Sequence, residues 1–206
     1  MKPRLHVVIA STRPGRVGPA VAAWFHEFAR QHARFDVRLI DLADFALPIY
    51  DEPVHPAAQR YEHAHTRAWS ASVAAADAFV FVTPEYNFNP PPSFVNALNF
   101  VYHEWNYKAC GFVSYGGVSG GLRAVQMAKQ LVTTLKMMPM VEGVAVPMVA
   151  QALDEQGRFV SNRLIDHSAQ QMLDELSRWT GALSSLRPRA PASTETSTTE
   201  RVALRA

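Results

Sequence analysis

The sequence has little that would staple, anchor or electrostatically spread the protein over a partner. Only one of its 206 residues is cysteine, Cys110, inside the apolar stretch ACGFVSY. A single thiol excludes an intrachain disulfide framework and a thiolate zinc site, and it reads as a small core residue. No apolar run approaches the ~18 residues of a spanning helix, and the apolar part of MKPRLHVVIA is too short for a secretory leader. These absences predict a cytoplasmic protein with no membrane partner. Charge of one sign is also missing: 20 basic and 18 acidic residues are intermixed, for a net charge of +2. No footprint for nucleic acid follows from that balance.

Several chemical signatures are absent too. There is no GxxxxGK followed by Ser or Thr and no GxGxxG, which disfavours nucleoside triphosphates and a Rossmann dinucleotide. A low-molecular-weight phosphatase would need a cysteine in its phosphate loop, where this chain has Ser11. The eight histidines form no defensible His–carboxylate motif. His63 and His65, two apart on an expected helix, should face different ways, so no metal site is predicted.

What is present is an alternation. Short β-branched runs at 5–10, 35–42, 77–84, 109–117 and 140–147 are separated by stretches with apolar residues at three- and four-residue spacing. Those stretches predict helices over 19–31, 57–76, 92–105 and 121–137, with a fifth over 164–186. Almost wholly apolar strands such as 78–82 imply a sheet covered on both faces, with right-handed parallel crossovers. The expectation is an α/β, flavodoxin-like, doubly wound five-stranded parallel sheet in three layers, forming one domain over 1–187. Residues 188–206, rich in Pro, Ser, Thr and Ala, are expected to be a disordered tail.

In such sheets ligands gather beyond the carboxyl ends of the strands, and three unusual loops fall there. STRPGRVGP at 11–19 runs from strand to helix and carries Ser11, Thr12, Arg13 and Arg16, groups that suit one terminal phosphate. Alone, it reads equally well as an exposed loop with incidental arginines. TPEYNFNPPP at 83–92 is stiffened by Pro84 and by Pro90 to Pro92. A rigid backbone there would present fixed N–H and C=O groups at Glu85, Tyr86 and Asn87 to a flat polar ring, although aromatic residues beside prolines also simply cap cores. SYGGVSGG at 114–121 lets backbone approach a ligand without a Cβ in the way. A phosphate site beside a slot for a flat heterocycle describes flavin mononucleotide.

Ser11-Thr12-Arg13 with Arg16, Pro84-Glu85-Tyr86-Asn87, and Ser114-Tyr115-Gly116-Gly117 with Gly120, Gly121 and Arg123 resemble the NADPH-dependent FMN reductase family of flavodoxin-like quinone, azo and flavin reductases. The similarity covers roughly residues 5–185. It implies that Ser11, Arg13 and Arg16 hold the FMN phosphate with backbone near Val17 and Gly18. It implies further that Pro84, Glu85, Tyr86 and Asn87 line the ring, mainly through backbone, and that Ser114, Gly116 and Gly117 support its other edge. By the same resemblance NADPH or NADH is the donor. A quinone, azo compound, free flavin or similar acceptor would follow by ping-pong hydride transfer, with the flavin carrying the chemistry and no catalytic side chain. A flavodoxin-type electron carrier, or a cofactor-binding module without turnover, is the alternative on this fold.

Two positions depart from the family pattern: Val95 stands where a lysine is common, and Asn99 where an acid is. The resemblance implies a homodimer or homotetramer, with LPIYDEP at 47–53 near the contact. The aromatic run FVYHEWNY at 100–107 is expected to contribute to that contact or to a flavin wall there.

Overall fold

The computed structural model describes residues 2–187, so the expected tail lies outside the described residues. In chain order the main elements are β1 (Arg4–Ile9), α1 (Gly18–His32), β2 (Asp36–Asp41), α2 (Ala64–Ala75) and β3 (Ala78–Pro84). They are followed by α3 (Pro92–Asn99), β4 (Ala109–Tyr115), α4 (Leu122–Thr134), β5 (Met138–Pro139), β6 (Val144–Val146) and α5 (Arg163–Leu183). All strand pairings are parallel, in the order β2-β1-β3-β4-β5, and β6 also pairs with β4. This is the flavodoxin-like order, and its direction reverses between β1 and β3.

β3 and β4 are buried at every position, as central strands with helices on both faces must be. Alternation along β3 divides the core. Ala78, Val80 and Val82 join a mainly aliphatic layer with Val21 of α1 and Met172 and Leu173 of α5, into which Trp24, Phe25, Phe28 and Phe159 bring one aromatic group. Phe79 and Phe81 face the other way, into an aromatic layer with Trp69 of α2, Phe94 of α3, Trp105 and Phe112. Burying each of these large side chains contributes roughly 1.5–3 kcal/mol.

Three expectations about element limits need correction. The fifth strand is two fragments along one edge of β4, because Pro139 lacks an N–H and the chain swings out through Val141, 85% exposed, before pairing again at Val144. The second helix starts at Ala64, not near residue 57, because the buried Glu52 carboxylate accepts from the N–H groups of Glu62 and His63 at 2.8 and 3.0 Å. The third helix stops at Asn99. Beyond it Phe100, Val101 and Trp105 are fully buried and wall this chain's own core, while Tyr102, His103 and Tyr107 keep part of their surface exposed.

The two histidines also differ from expectation. His63 precedes the helix instead of lying within it, so its ring stacks on that of His65 at 5.2 Å and both approach Asp51. Among the described residues no group of three His, Cys, Asp or Glu side chains could hold a metal ion.

Candidate functional site

The loops following β1, β3 and β4 meet at the carboxyl end of the sheet, where the strand order reverses. Hydrogen bonds tie them together: the Ala10 N–H donates to Val82 O at 3.0 Å, and Ser93 Oγ to Ala10 O at 2.6 Å. The N–H of Glu85 donates to Tyr115 O at 3.2 Å.

In the first loop, Ser11 is wholly buried, with its hydroxyl 3.2 Å from that of Tyr115. It braces the loop from beneath instead of facing outward. Burial pushes the Tyr115 phenol up to about 12, against the opposing bond from Ser11, so this partner stays neutral. Gly18 closes over the pair: a Cβ there would stand 2.7 Å from Ser11 Oγ and 2.8 Å from the Tyr115 hydroxyl. Arg13 is exposed, and its side chain enters none of the ion pairs among the described residues. Arg16, expected beside it, turns to pair with Asp41 at the end of β2. Its Nε is buried and meets no acceptor. Val17 offers no side-chain cap to α1; Pro19 has no N–H and Ala20 N donates to Val17 O at 3.0 Å, so the Gly18 N–H is the first-turn donor left for water or an anion.

The second loop is a tight reverse turn. Tyr86 and Asn89 exchange backbone bonds of 2.9 and 3.0 Å, and Asn87 and Phe88 between them have φ of 52° and 69°. Two consecutive left-handed residues mark the primed turn of a hairpin, which asparagine tolerates and phenylalanine does not, at about 1–2 kcal/mol. Phe88 is nevertheless 60% exposed, so core burial does not offset that strain.

The third loop needs its last glycine. Gly121 has φ of 84°, and a Cβ there would lie 2.8 Å from Ser114 Cβ and 3.0 Å from Tyr115 N. Ser114 is itself buried, donating to Gly120 O at 2.7 Å. Gly121 is also the N-cap of α4, where a glycine has no side chain to accept from the helix. Glu85 supplies that acceptor from the second loop. Its carboxylate takes bonds from Arg123 N at 3.2 Å, Arg123 Nε at 2.7 Å and Ser119 Oγ at 3.0 Å, and pairs with Arg123. Burial alone would raise the Glu85 carboxyl, but Arg123 and Ser119 together hold it below the usual carboxylate range. The expected backbone role of Glu85 is therefore joined by a side-chain one. Gly117, in contrast, is exposed, with nothing within 4 Å of where its Cβ would stand.

A cavity of about 740 Å³ adjoins the first two loops at Thr12, Asn89 and Pro90 and runs along α3 and α4 past Val95, Asn99 and Met127. No charged residue lines it. Both departures from the family pattern thus fall on one neutral wall. The loop at 47–53 forms its rim, fixed to α3 by Asn96, which accepts from Tyr50 N at 3.0 Å and donates to Pro48 O at 2.6 Å. Ile49 at its tip is 91% exposed.

The three loops were legible in the sequence, and Tyr115 and Arg123 stood in the third motif without a role, whereas Ser119 and Asp41 were not singled out as side chains that brace the loops. Arg123 had one available signal, a guanidinium two residues beyond the glycine pair at a helix start.

Fold, switch point and loops define a flavodoxin-like α/β protein with a ligand crevice at the carboxyl edge of its sheet. The model of the NADPH-dependent FMN reductases matches residues 3–151. An NAD(P)H-dependent FMN reductase of Schizosaccharomyces pombe is 42% identical over 137 residues, 66% of this chain and 68% of that protein. Another NAD(P)H-dependent FMN reductase, ntnL from Nectria sp., is 32% identical over 153 residues, 71% of this chain and 76% of that one. Among solved structures, the flavoenzyme NAD(P)H:(acceptor) oxidoreductase FerB from Paracoccus denitrificans superposes with a TM-score of 0.68 at 18% identity, over 87% of this chain and 98% of that one, a likeness of fold. The chain belongs to the NADPH-dependent FMN reductase family, and it is an oxidoreductase that uses FMN with NAD(P)H as donor.

Proposed function

We propose that this chain reduces quinones, azo compounds, free flavin or similar small acceptors at the expense of NADPH or NADH, in ping-pong fashion, in the cytoplasm. The observation that carries the site assignment is the convergence of three braced loops at the strand-order reversal of a sheet whose family is known. Three features fit FMN there: the orphaned Nε of Arg16, the uncapped start of α1, and the open backbone at Gly117. Arg13 and the N–H groups at Val17 and Gly18 would hold the phosphate, with Arg16 steered by Asp41 and Ser11 bracing from below. Backbone of Pro84, Glu85, Tyr86 and Asn87 would meet the ring on one side, and Gly116 and Gly117 on the other, with Ser114 fixing their loop. When bound, FMN supplies the two-electron chemistry. Glu85, kept ionised by Arg123 and Ser119, is unsuited to donate a proton at neutral pH.

The same reading includes a homodimer or larger assembly. Its support is the neutral cavity and the exposed Ile49, Leu122 and Met127 on the loop and helix that border it. Anaerobic addition of NADPH or NADH to the purified, FMN-loaded protein tests the enzyme. Bleaching within seconds, then parallel double-reciprocal plots with a quinone, is expected. Bleaching without turnover of any acceptor would return the protein to an electron carrier. Sedimentation equilibrium at micromolar protein tests the assembly, which a fully active monomer would refute.

A further inference from the structure

Phe88 is an exposed aromatic residue held in a backbone conformation that L side chains avoid, and such strain persists only where surrounding contacts over-determine it. The contact that does so is Arg123. Its guanidinium lies 3.9 Å from the centroid of the Phe88 ring while its Nε donates to Glu85 and its terminal nitrogen to Ser119 Oγ at 3.1 Å. One exposed side chain on the first turn of α4 therefore touches the residue that leads into the turn after β3, a central residue of that turn, and the loop after β4.

We propose that Arg123 is a positioning residue that sets the spacing of these two loops and so the fit of the flavin ring between them. The inference rests on the reading that the ring lies there. A planar fork is required, because one face must lie against Phe88 while two edges reach Glu85 and Ser119; lysine, a point charge on a flexible stem, cannot satisfy both. Glu85 has to be the partner, since Gly121 cannot cap α4 itself. Arg123 is half exposed and contributes nothing to the core, so its replacement leaves the fold in place.

The test compares wild type, Arg123→Lys and Glu85→Gln, and titrates each apo-protein with FMN and with riboflavin. Arg123→Lys is expected to weaken both ligands by a similar factor of about ten or more, because the defect is at the ring and not at the phosphate. It is also expected to shift the visible band of the bound flavin. Glu85→Gln, which keeps an acceptor for the helix start, should lie between the two. Wild-type affinity and an unshifted spectrum in Arg123→Lys would overturn the inference. So would a loss confined to FMN, which would move Arg123 to the phosphate. An equal fall in apo-protein melting temperature with no spectral change would reduce Arg123 to a structural role and also overturn it. A wild-type protein that takes up neither ligand would instead defeat the underlying assignment of the ring site.

Discussion

Two glycines in one loop should respond to alanine in opposite ways. Gly121→Ala forces a Cβ onto a residue with φ of 84°, at about 1–2 kcal/mol for the left-handed backbone. It also drives that atom to 2.8 Å from Ser114 Cβ and 3.0 Å from Tyr115 N, and both neighbours are buried strand residues that cannot give way. Overpacking of that kind costs about 1–3 kcal/mol, so the loss is about 2–5 kcal/mol in all. At about 2–4 °C per kcal/mol for a chain of this size, the apo-protein should melt roughly 4–20 °C lower. Gly117→Ala meets nothing within 4 Å and has no positive φ. Its melting temperature should stay within about 2 °C of wild type, since open surface substitutions change stability by about 0.5 kcal/mol. If the flavin ring lies against that backbone, however, the new methyl occupies the ligand's space, and FMN affinity should fall about tenfold or more. Circular dichroism melts of the apo-proteins and fluorescence titrations with FMN read the two effects separately. The reasoning is refuted if Gly121→Ala melts like wild type, or if Gly117→Ala binds FMN unchanged.

Other outcomes follow from single side chains. Arg13→Ala should weaken FMN by about 1.5–3 kcal/mol and leave riboflavin binding untouched, which paired titrations check. Burial, aided by the positive charges of Lys108, Arg4 and Arg38, lowers His6 to about 4. Between there and 6.5 the unfolded chain binds more protons, so up to about 3 kcal/mol of stability present above pH 6.5 is lost as pH falls toward 4. Urea unfolding from pH 7 to 4.5 should show that loss in wild type and a shallower one in His6→Phe; parallel curves would count against it. Trp105→Ala, fully buried among Trp69, Phe79 and Phe81, should cost about 3–5 kcal/mol and leave the sedimentation coefficient of any folded assembly unchanged.

The sheet was legible because its central strands are apolar at every position and its loops carry the prolines and glycines. The break in the fifth strand was less so: Pro139 and Gly143 were visible, but that both sides of the break pair with β4, across an excursion of the chain, depends on register. The helix start at Ala64 was hidden for a different reason, as was the partner that completes the start of α4. Glu52 and Glu85 accept from backbone N–H groups 11 and 38 residues away, and no local pattern encodes such a partner. Arg16 showed the same limit, since Asp41 lies on the neighbouring strand. In the run at 100–107 the sequence leaves open which side chains turn inward, because aromatic residues fill cores and interfaces alike. Only the fold beneath α2 decides that Phe100, Val101 and Trp105 turn inward.

The division of the core by the sheet, with tryptophans on both sides, gives the protein its own optical labels. Trp69 and Trp105 lie edge-on to each other at 5.7 Å in the aromatic layer, wholly screened from water, whereas Trp24 on α1 and the 38% exposed Trp179 on α5 lie on the opposite side of the sheet. Collisional quenching by iodide or acrylamide should therefore silence one pair of emitters and spare the other. During unfolding, a red shift without loss of the protected component would mean that α1 and α5 peel away first. Simultaneous loss of both would mean that the two faces of the sheet come apart as one body.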